Sequence, residues 1–312
     1  MAEVFLLALE QVGVLLIFIS IGYILRRFHQ LPDSSGHVLS LLNTLVFAPA
    51  YSIANFSVNF TRDVVGEKLL IFGFALLAMV GTITLGRILG KLLGRSDMEK
   101  RSLMYAFTFS NSGYFGYPVI DGVFGGAVLA DYMVFNLPIN IACNSYGYML
   151  FQKEKRFSLV RLLSSPLVLA SFIGMALGLS GIRMPSVVTT VLNGAGSCMS
   201  PCAMLLVGFM LGKFPLSKLF SGWRPYVFTL VRILGVSAIL GGIFWLCGLR
   251  GELLFYLLLY TSMPLGMNLV VFPESCGYEK EAGDNAKMCV VSYVMALGLL
   301  PAVFAVVTHI CR

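Results

Sequence analysis

Apolar stretches of about 20 residues, the length of a membrane-spanning helix, alternate along this chain with short segments rich in charge, Gly, Pro, Ser or Asp. They predict ten spans, numbered here in order: Val4–Leu25, His37–Asn55, Lys68–Leu92, Lys100–Phe124, Asp131–Phe151, Ser165–Leu179, Ser186–Leu211, Trp223–Cys247, Glu252–Glu274 and Asn285–Ile310. Span six is the shortest. The first span is not read as a cleaved leader, which would carry its positive charge ahead of the apolar run. Here Glu3 precedes it, and Arg26 and Arg27 follow.

The basic residues orient these spans. One side collects Arg26, Arg27, Arg87, Lys91, Arg95, Lys100, Arg101, Lys153, Lys155, Arg156, Arg161, Lys213, Lys218, Arg224, Lys280 and Lys287. The other receives Arg62, Lys68, Arg183, Arg250 and Arg312. This is the positive-inside asymmetry. It predicts a multi-pass protein of the cell membrane (plasma or inner) with both termini outside.

Composition excludes the other broad classes. The 312 residues are 58% hydrophobic and 12% charged, and mean hydropathy is +0.86. Soluble domains carry about 25% charged residues, so an ordinary cytosolic enzyme, a disordered tail and a secreted disulfide scaffold are all excluded. The net charge of +7 belongs to the basic loops, and nucleic acid is not an expected partner. Seven cysteines, several inside apolar spans, read as small buried thiols. Cys198 and Cys202 lie one helical turn apart with no His or carboxylate near them in sequence, so no metal site is expected.

The segment 152–163 divides the chain into halves, 1–151 and 164–312, of five spans each. An odd number per half makes the second enter the membrane in the opposite direction, the parity of an inverted repeat. Pro49 pairs with Pro201, and Pro118 with Pro264, at similar offsets. The expected fold class is an all-α polytopic membrane protein, a 5+5 inverted repeat with broken, crossing spans four and nine.

Those two spans read FTFSNSGYFGYPVIDGVFGG and LLYTSMPLGMNLVVFPE. Proline removes a backbone donor and clashes with the preceding turn, and Gly113, Gly116 and Gly266 lower the cost of unwinding. Unwound backbone is tolerated at membrane depth only inside protein or beside a wet cavity. Interrupted segments at matching places in two halves point to a transporter's binding site. Each break exposes a negative carboxyl end and a positive amino end. Two amino ends, expected to begin near Pro118 and Met267, would bind a carboxylate without a buried cation. Asn111, Ser112, Ser262 and Asn268 add neutral donors and acceptors.

The same residues carry a family resemblance. Asn111-Ser-Gly-Tyr-Phe-Gly116-Tyr-Pro118 resembles the N-x4-G-x-P crossover of the auxin efflux carrier family. Pro264-Leu-Gly266-Met-Asn268 with the following Val-Phe-Pro-Glu274 resembles its ninth span, and Ser200-Pro201 through Gly208 extends the likeness. The short basic middle loop resembles that of bacterial members. The resemblance implies a fold like that of sodium/proton antiporters and bile-acid transporters. Spans 1, 2, 6 and 7 would form a scaffold, often the homodimer surface, against which spans 3–5 and 8–10 move as an elevator. It also implies an organic-anion substrate, with Asn111 as a ligand.

The remaining polar residues refine the expectation. Asp121 reads as a solvated helix end or as the group that couples transport to protons. Asn136, Asn140 and Asn144 share one face of span five, either lining a cavity or bonding between helices. Arg232, inside span eight, is expected to snorkel towards the headgroups in preference to the alternative, contact with substrate. Glycines at four-residue spacing (Gly86/Gly90/Gly94, Gly174/Gly178, Gly208/Gly212) predict close helix packing. His29, His37 and His309 sit at span edges, and no phosphate-binding glycine loop occurs. No catalytic residue, cofactor or ATP dependence is therefore expected. The expected function is secondary active or facilitative transport of a small organic anion by alternating access. Its site would comprise Asn111, Ser112, Gly113, Gly116, Pro118, Ser262, Pro264, Gly266 and Asn268, with Asn140. The alternatives are a transporter-like receptor or sensor without flux, or an ion channel.

Overall fold

The computed structural model describes residues 1–152 and 166–311, all-helical with no strand among them. The helices are α1 (Ala2–Arg27), α2 (Ser35–Asn59), α3 (Val65–Leu93), α4 (Asp97–Thr108), α5 (Tyr117–Phe124), α6 (Gly126–Gly147), α7 (Pro166–Ser180), α8 (Ser186–Leu211), α9 (Arg224–Leu246), α10 (Glu252–Ser262), α11 (Asn268–Ser275) and α12 (Glu279–Cys311). Among the described residues, seven helices are long and apolar enough to cross a membrane: α1, α2, α3 with its leading turn, α6, α8, α9 and α12. The apolar α7 and α10 are shorter. Spans four and nine each occur as two pieces, α4/α5 and α10/α11. The expected connecting loop 152–163, with Lys153, Lys155, Arg156 and Arg161, lies outside the described residues beyond Gln152, as does Arg312.

Local chemistry explains the helix starts. The Ser96 hydroxyl accepts the Glu99 N–H at 3.1 Å, capping α4, whose first turn also holds Asp97 and Glu99 beside the positive helix end. Glu279 and Glu281 do the same for α12, which begins well before the expected Asn285.

Small residues let helices touch backbone to backbone. A Cβ on Gly208 of α8 would lie 1.9 Å from the Ile19 carbonyl oxygen of α1, and one on Gly22 only 2.1 Å from that of Leu205. The α2/α7 pair repeats this contact, with a Gly178 Cβ 2.4 Å from the Phe60 oxygen. Gly86, Gly90 and Gly94 seat α3 against α4 in the same way. The four-residue glycine spacing has the packing role expected of it.

Among the described residues there are four widened π turns: Asn43–Phe47 in α2, Ser112–Gly116 leading into α5, Cys143–Gly147 in α6 and Val231–Gly235 in α9. Such a turn re-aims the side chains around it and recurs at functional sites. Three of these four contribute to one cavity.

Candidate functional site

The first break unwinds Phe109–Asn111 and the second Met263–Met267. They cross in contact. The Asn111 N–H donates to the Pro264 carbonyl at 2.8 Å, and a Cβ on Gly266 would lie 3.6 Å from the Ser110 oxygen. Each unwound strand is tied to its surroundings. Asn111 Nδ2 donates to Tyr293 Oη at 2.9 Å, and the Leu265 N–H donates to Ser292 Oγ at 3.1 Å, both on α12.

Proline accounts for further partners. Pro118 has no N–H to offer the Tyr114 carbonyl one turn back, and Ser200 Oγ of α8 donates to that oxygen at 2.9 Å. Pro264 likewise denies the Tyr260 carbonyl its i+4 donor; the Met263 N–H reaches that oxygen at 3.3 Å, and Arg232 Nη2 adds a second donor at 3.5 Å. The Phe107 carbonyl loses its donor because the Asn111 N–H has turned to Pro264, and Arg232 Nη1 reaches it at 3.4 Å. Arg232 is fully buried, with its guanidinium 5.7 Å from the centre of the Tyr260 ring. This corrects the expected snorkelling. The π turn of α9 carries the side chain into the protein, where two terminal carbonyls accept from it.

Beside the crossing lies a cavity of about 490 Å³, within the roughly 300–1,000 Å³ usual for small-molecule sites. The crossing supplies Ser110, Asn111, Gly113, Tyr114, Gly266, Met267 and Asn268. The opposite wall comes from α2 (Ser40, Asn43, Thr44, Tyr51) and α8 (Met199, Ala203, Val207), and α6 adds Asn140, Cys143 and Asn144. The lining continues to His37, Lys213 and Glu274, where Lys213 Nζ meets Glu274 Oε1 at 2.6 Å. A groove of about 540 Å³ between α1, the end of α8 and α12 is almost wholly apolar and lacks such convergent amides.

Of the expected site residues, Asn111, Gly113, Asn140, Gly266 and Asn268 line this cavity together. Ser112, Gly116, Pro118, Ser262 and Pro264 support the crossing from outside the lining; Ser262 Oγ, for instance, donates to the Leu259 carbonyl at 3.1 Å. Asp121 is exposed on α5 and is not among the lining residues. Helical structure resumes at Ser112, a turn and a half before the expected Pro118, because the π turn absorbs the proline. The amino ends facing the cavity are thus at Gly113–Tyr114 and Gly266–Asn268. Asn140 Nδ2 donates to Tyr117 Oη at 3.3 Å, whereas Asn136 is buried and bonds the Tyr132 carbonyl. Among the unanticipated lining residues, Tyr51 stacks on Tyr117 at 6.2 Å, and Cys143 Sγ lies 3.0 Å from Tyr105 Oη. Pro49 was the one sequence sign of irregularity in α2, and Pro138 in α6; neither marked Cys143 as a lining residue.

A family model described as a membrane transport protein matches residues 7–304. An uncharacterized transporter of Methanocaldococcus jannaschii is 24% identical over 276 residues, covering 85% of this chain and 88% of that one. One from Methanothermobacter thermautotrophicus is 24% identical over 275 residues, covering 85% and 87%.

Proposed function

Because the chain belongs to the membrane transport protein family, that of the auxin efflux carriers, we propose that it is a secondary transporter carrying small organic anions by alternating access. One observation carries the substrate class: two helix amino ends, at Gly113–Tyr114 and Gly266–Asn268, converge on a cavity lined by the neutral amides Asn111, Asn140 and Asn268. Unpaired N–H groups at such ends bind carboxylates. Among the described residues the one ion pair at the cavity is Lys213–Glu274, at its mouth, so selection falls to backbone dipoles and amides.

The ten-span, 5+5 inverted arrangement belongs to this reading. It is supported by the α1/α8 and α2/α7 glycine contacts, which an inverted repeat relating span one to six and two to seven would interchange. Spans 1, 2, 6 and 7 then form the scaffold of a homodimer, and the crossing moves with spans 3–5 and 8–10. The cavity reaches the end marked by His37, Lys213 and Glu274. On the positive-inside orientation this is a state open to the cytoplasm. Proton coupling, if Asp121 supplies it, acts from outside the cavity.

The test is a thermal-shift screen of lactate, succinate and malate on purified protein, followed by flux into proteoliposomes with and without a pH gradient. Saturable flux at carrier rates is expected. Binding without flux favours a receptor built on a transporter fold, and currents far above carrier rates favour a channel.

A further inference from the structure

Arg232 is a permanent charge at full burial, and among the described residues no Asp or Glu pairs with it. An uncompensated charge is costly at membrane depth, so something else must stabilise it. Its two Nη groups reach the Phe107 and Tyr260 carbonyls. These oxygens hold equivalent places, each four residues before the partners of the crossing bond, Asn111 and Pro264. Both lose their i+4 donor at the breaks, one to the diverted Asn111 N–H and the other to proline, and the Tyr260 oxygen keeps a 3.3 Å bond from the Met263 N–H. Both lie in the last turn of a half-helix, α4 or α10. A carboxyl end carries about half a negative charge, so two such ends amount to about one, the magnitude of a guanidinium charge.

We propose that Arg232 is the built-in cation of the crossing: it neutralises both carboxyl ends and fills the place an inorganic cation would take, so that anion binding in the cavity requires no sodium. The inference rests on the carrier reading above and concerns its coupling. Two carbonyls that share one guanidinium are hard oxygen ligands of the kind that sodium or calcium seeks, and here a covalently attached charge occupies them. Arg232 does not line the cavity. It is a positioning residue that holds the two amino ends in register from behind and adds a fixed positive field to them.

The test measures succinate, malate and lactate affinity by thermal shift and calorimetry, in sodium, potassium and choline media, for wild type, Arg232→Lys and Arg232→Ala. Wild-type affinity is expected to agree within about two-fold across the three media. Arg232→Lys keeps the charge and should stay within about three-fold of wild type. Arg232→Ala should bind about ten-fold more weakly in choline, a loss on the scale of a helix-end charge interaction, and should newly gain affinity from sodium. A merely structural arginine gives neither the lysine rescue nor the acquired sodium response. Wild-type binding that sodium strengthens about ten-fold or more overturns the proposal, as does a folded Arg232→Ala protein that binds like wild type in choline. Should Arg232→Ala not fold, the wild-type media comparison and Arg232→Lys still decide. If no probe binds in any medium, the carrier reading itself fails and takes this inference with it.

Discussion

The Asn111 N–H donates to the Pro264 carbonyl across 2.8 Å, so the unwound segments of the two broken helices bond directly to each other. The bond ties the amino ends on one side of the crossing to the carboxyl ends on the other. It also leaves the Asn111 side chain free to turn towards α12, where Nδ2 meets Tyr293 Oη at 2.9 Å.

Asn111→Ala keeps the backbone bond and removes the amide. The Tyr293 hydroxyl loses a donor, and the cavity loses part of its polar wall. Carboxylate affinity should fall about 5- to 30-fold, corresponding to roughly 1–2 kcal/mol for a lost hydrogen bond of this kind, with the melting temperature little changed. Calorimetry against the carboxylates that bind wild type measures it, and equal affinity removes Asn111 from the site.

The α1/α8 contact gives a stability prediction with an internal control. Gly208→Ala drives a methyl to 1.9 Å from the Ile19 oxygen, where backbone must move. Overpacking of this kind costs about 1–3 kcal/mol. Gly194→Ala on the same helix meets nothing within 4 Å and should be neutral or slightly stabilising, since Ala is the better helix former. Thermal melts of both variants in detergent should separate them clearly. Similar melts would mean that α1 and α8 do not pack through this glycine.

The two breaks were legible because their cause is chemical and local: Gly113, Gly116, Pro118, Pro264 and Gly266 disfavour a continuous helix wherever they stand. The glycine contacts were legible for a related reason, as small residues at four-residue spacing form a continuous groove along one helix face. What escaped is set by three-dimensional context. Near the π turns at Asn43 and Cys143 the sequence offers only a nearby proline each, Pro49 and Pro138, which does not foretell that the turns carry side chains into the cavity. Arg232 looked like a residue whose stem would seek the headgroups; its direction depends on the α9 π turn and on two carbonyls in distant helices. Hydropathy also trimmed the polar start of α12, which Glu279 and Glu281 stabilise electrostatically rather than by burial.

At the cavity mouth, Lys213 follows α8 and Glu274 lies on α11, with about a third of each side chain exposed. Such a pair contributes only about 0.2–1 kcal/mol, so its removal should barely move the melting temperature. Its importance is positional, since it links the residue after α8 to the end of α11, two elements that the proposed elevator motion would move apart. Glu274→Gln and Lys213→Met should each change the maximal rate of counterflow in proteoliposomes more than the half-saturating concentration. The exchanged pair Lys213→Glu/Glu274→Lys should recover most of the wild-type rate. If the double exchange is as impaired as the singles, the pair does not act as a latch.

Cys143 provides a native reporter of the cavity. Its thiol is free and part-exposed among the lining residues, within 3.9 Å of Asn268 Nδ2. The lining continues from it to the Lys213–Glu274 mouth, so a small methanethiosulfonate reagent should reach it from that side of the membrane. Cys198 and Cys247 are exposed and Cys276 and Cys311 part-exposed elsewhere, and all four must first be replaced by serine so that their labelling does not mask the signal. In that background a carboxylate that occupies the two amino ends lies against the route to Cys143 and should slow its modification several-fold. Intact-mass spectrometry over time, with reagent applied to inside-out and right-side-out vesicles, reads both the side of access and the protection. Modification at one rate with and without a bound carboxylate would place the anion away from the crossing.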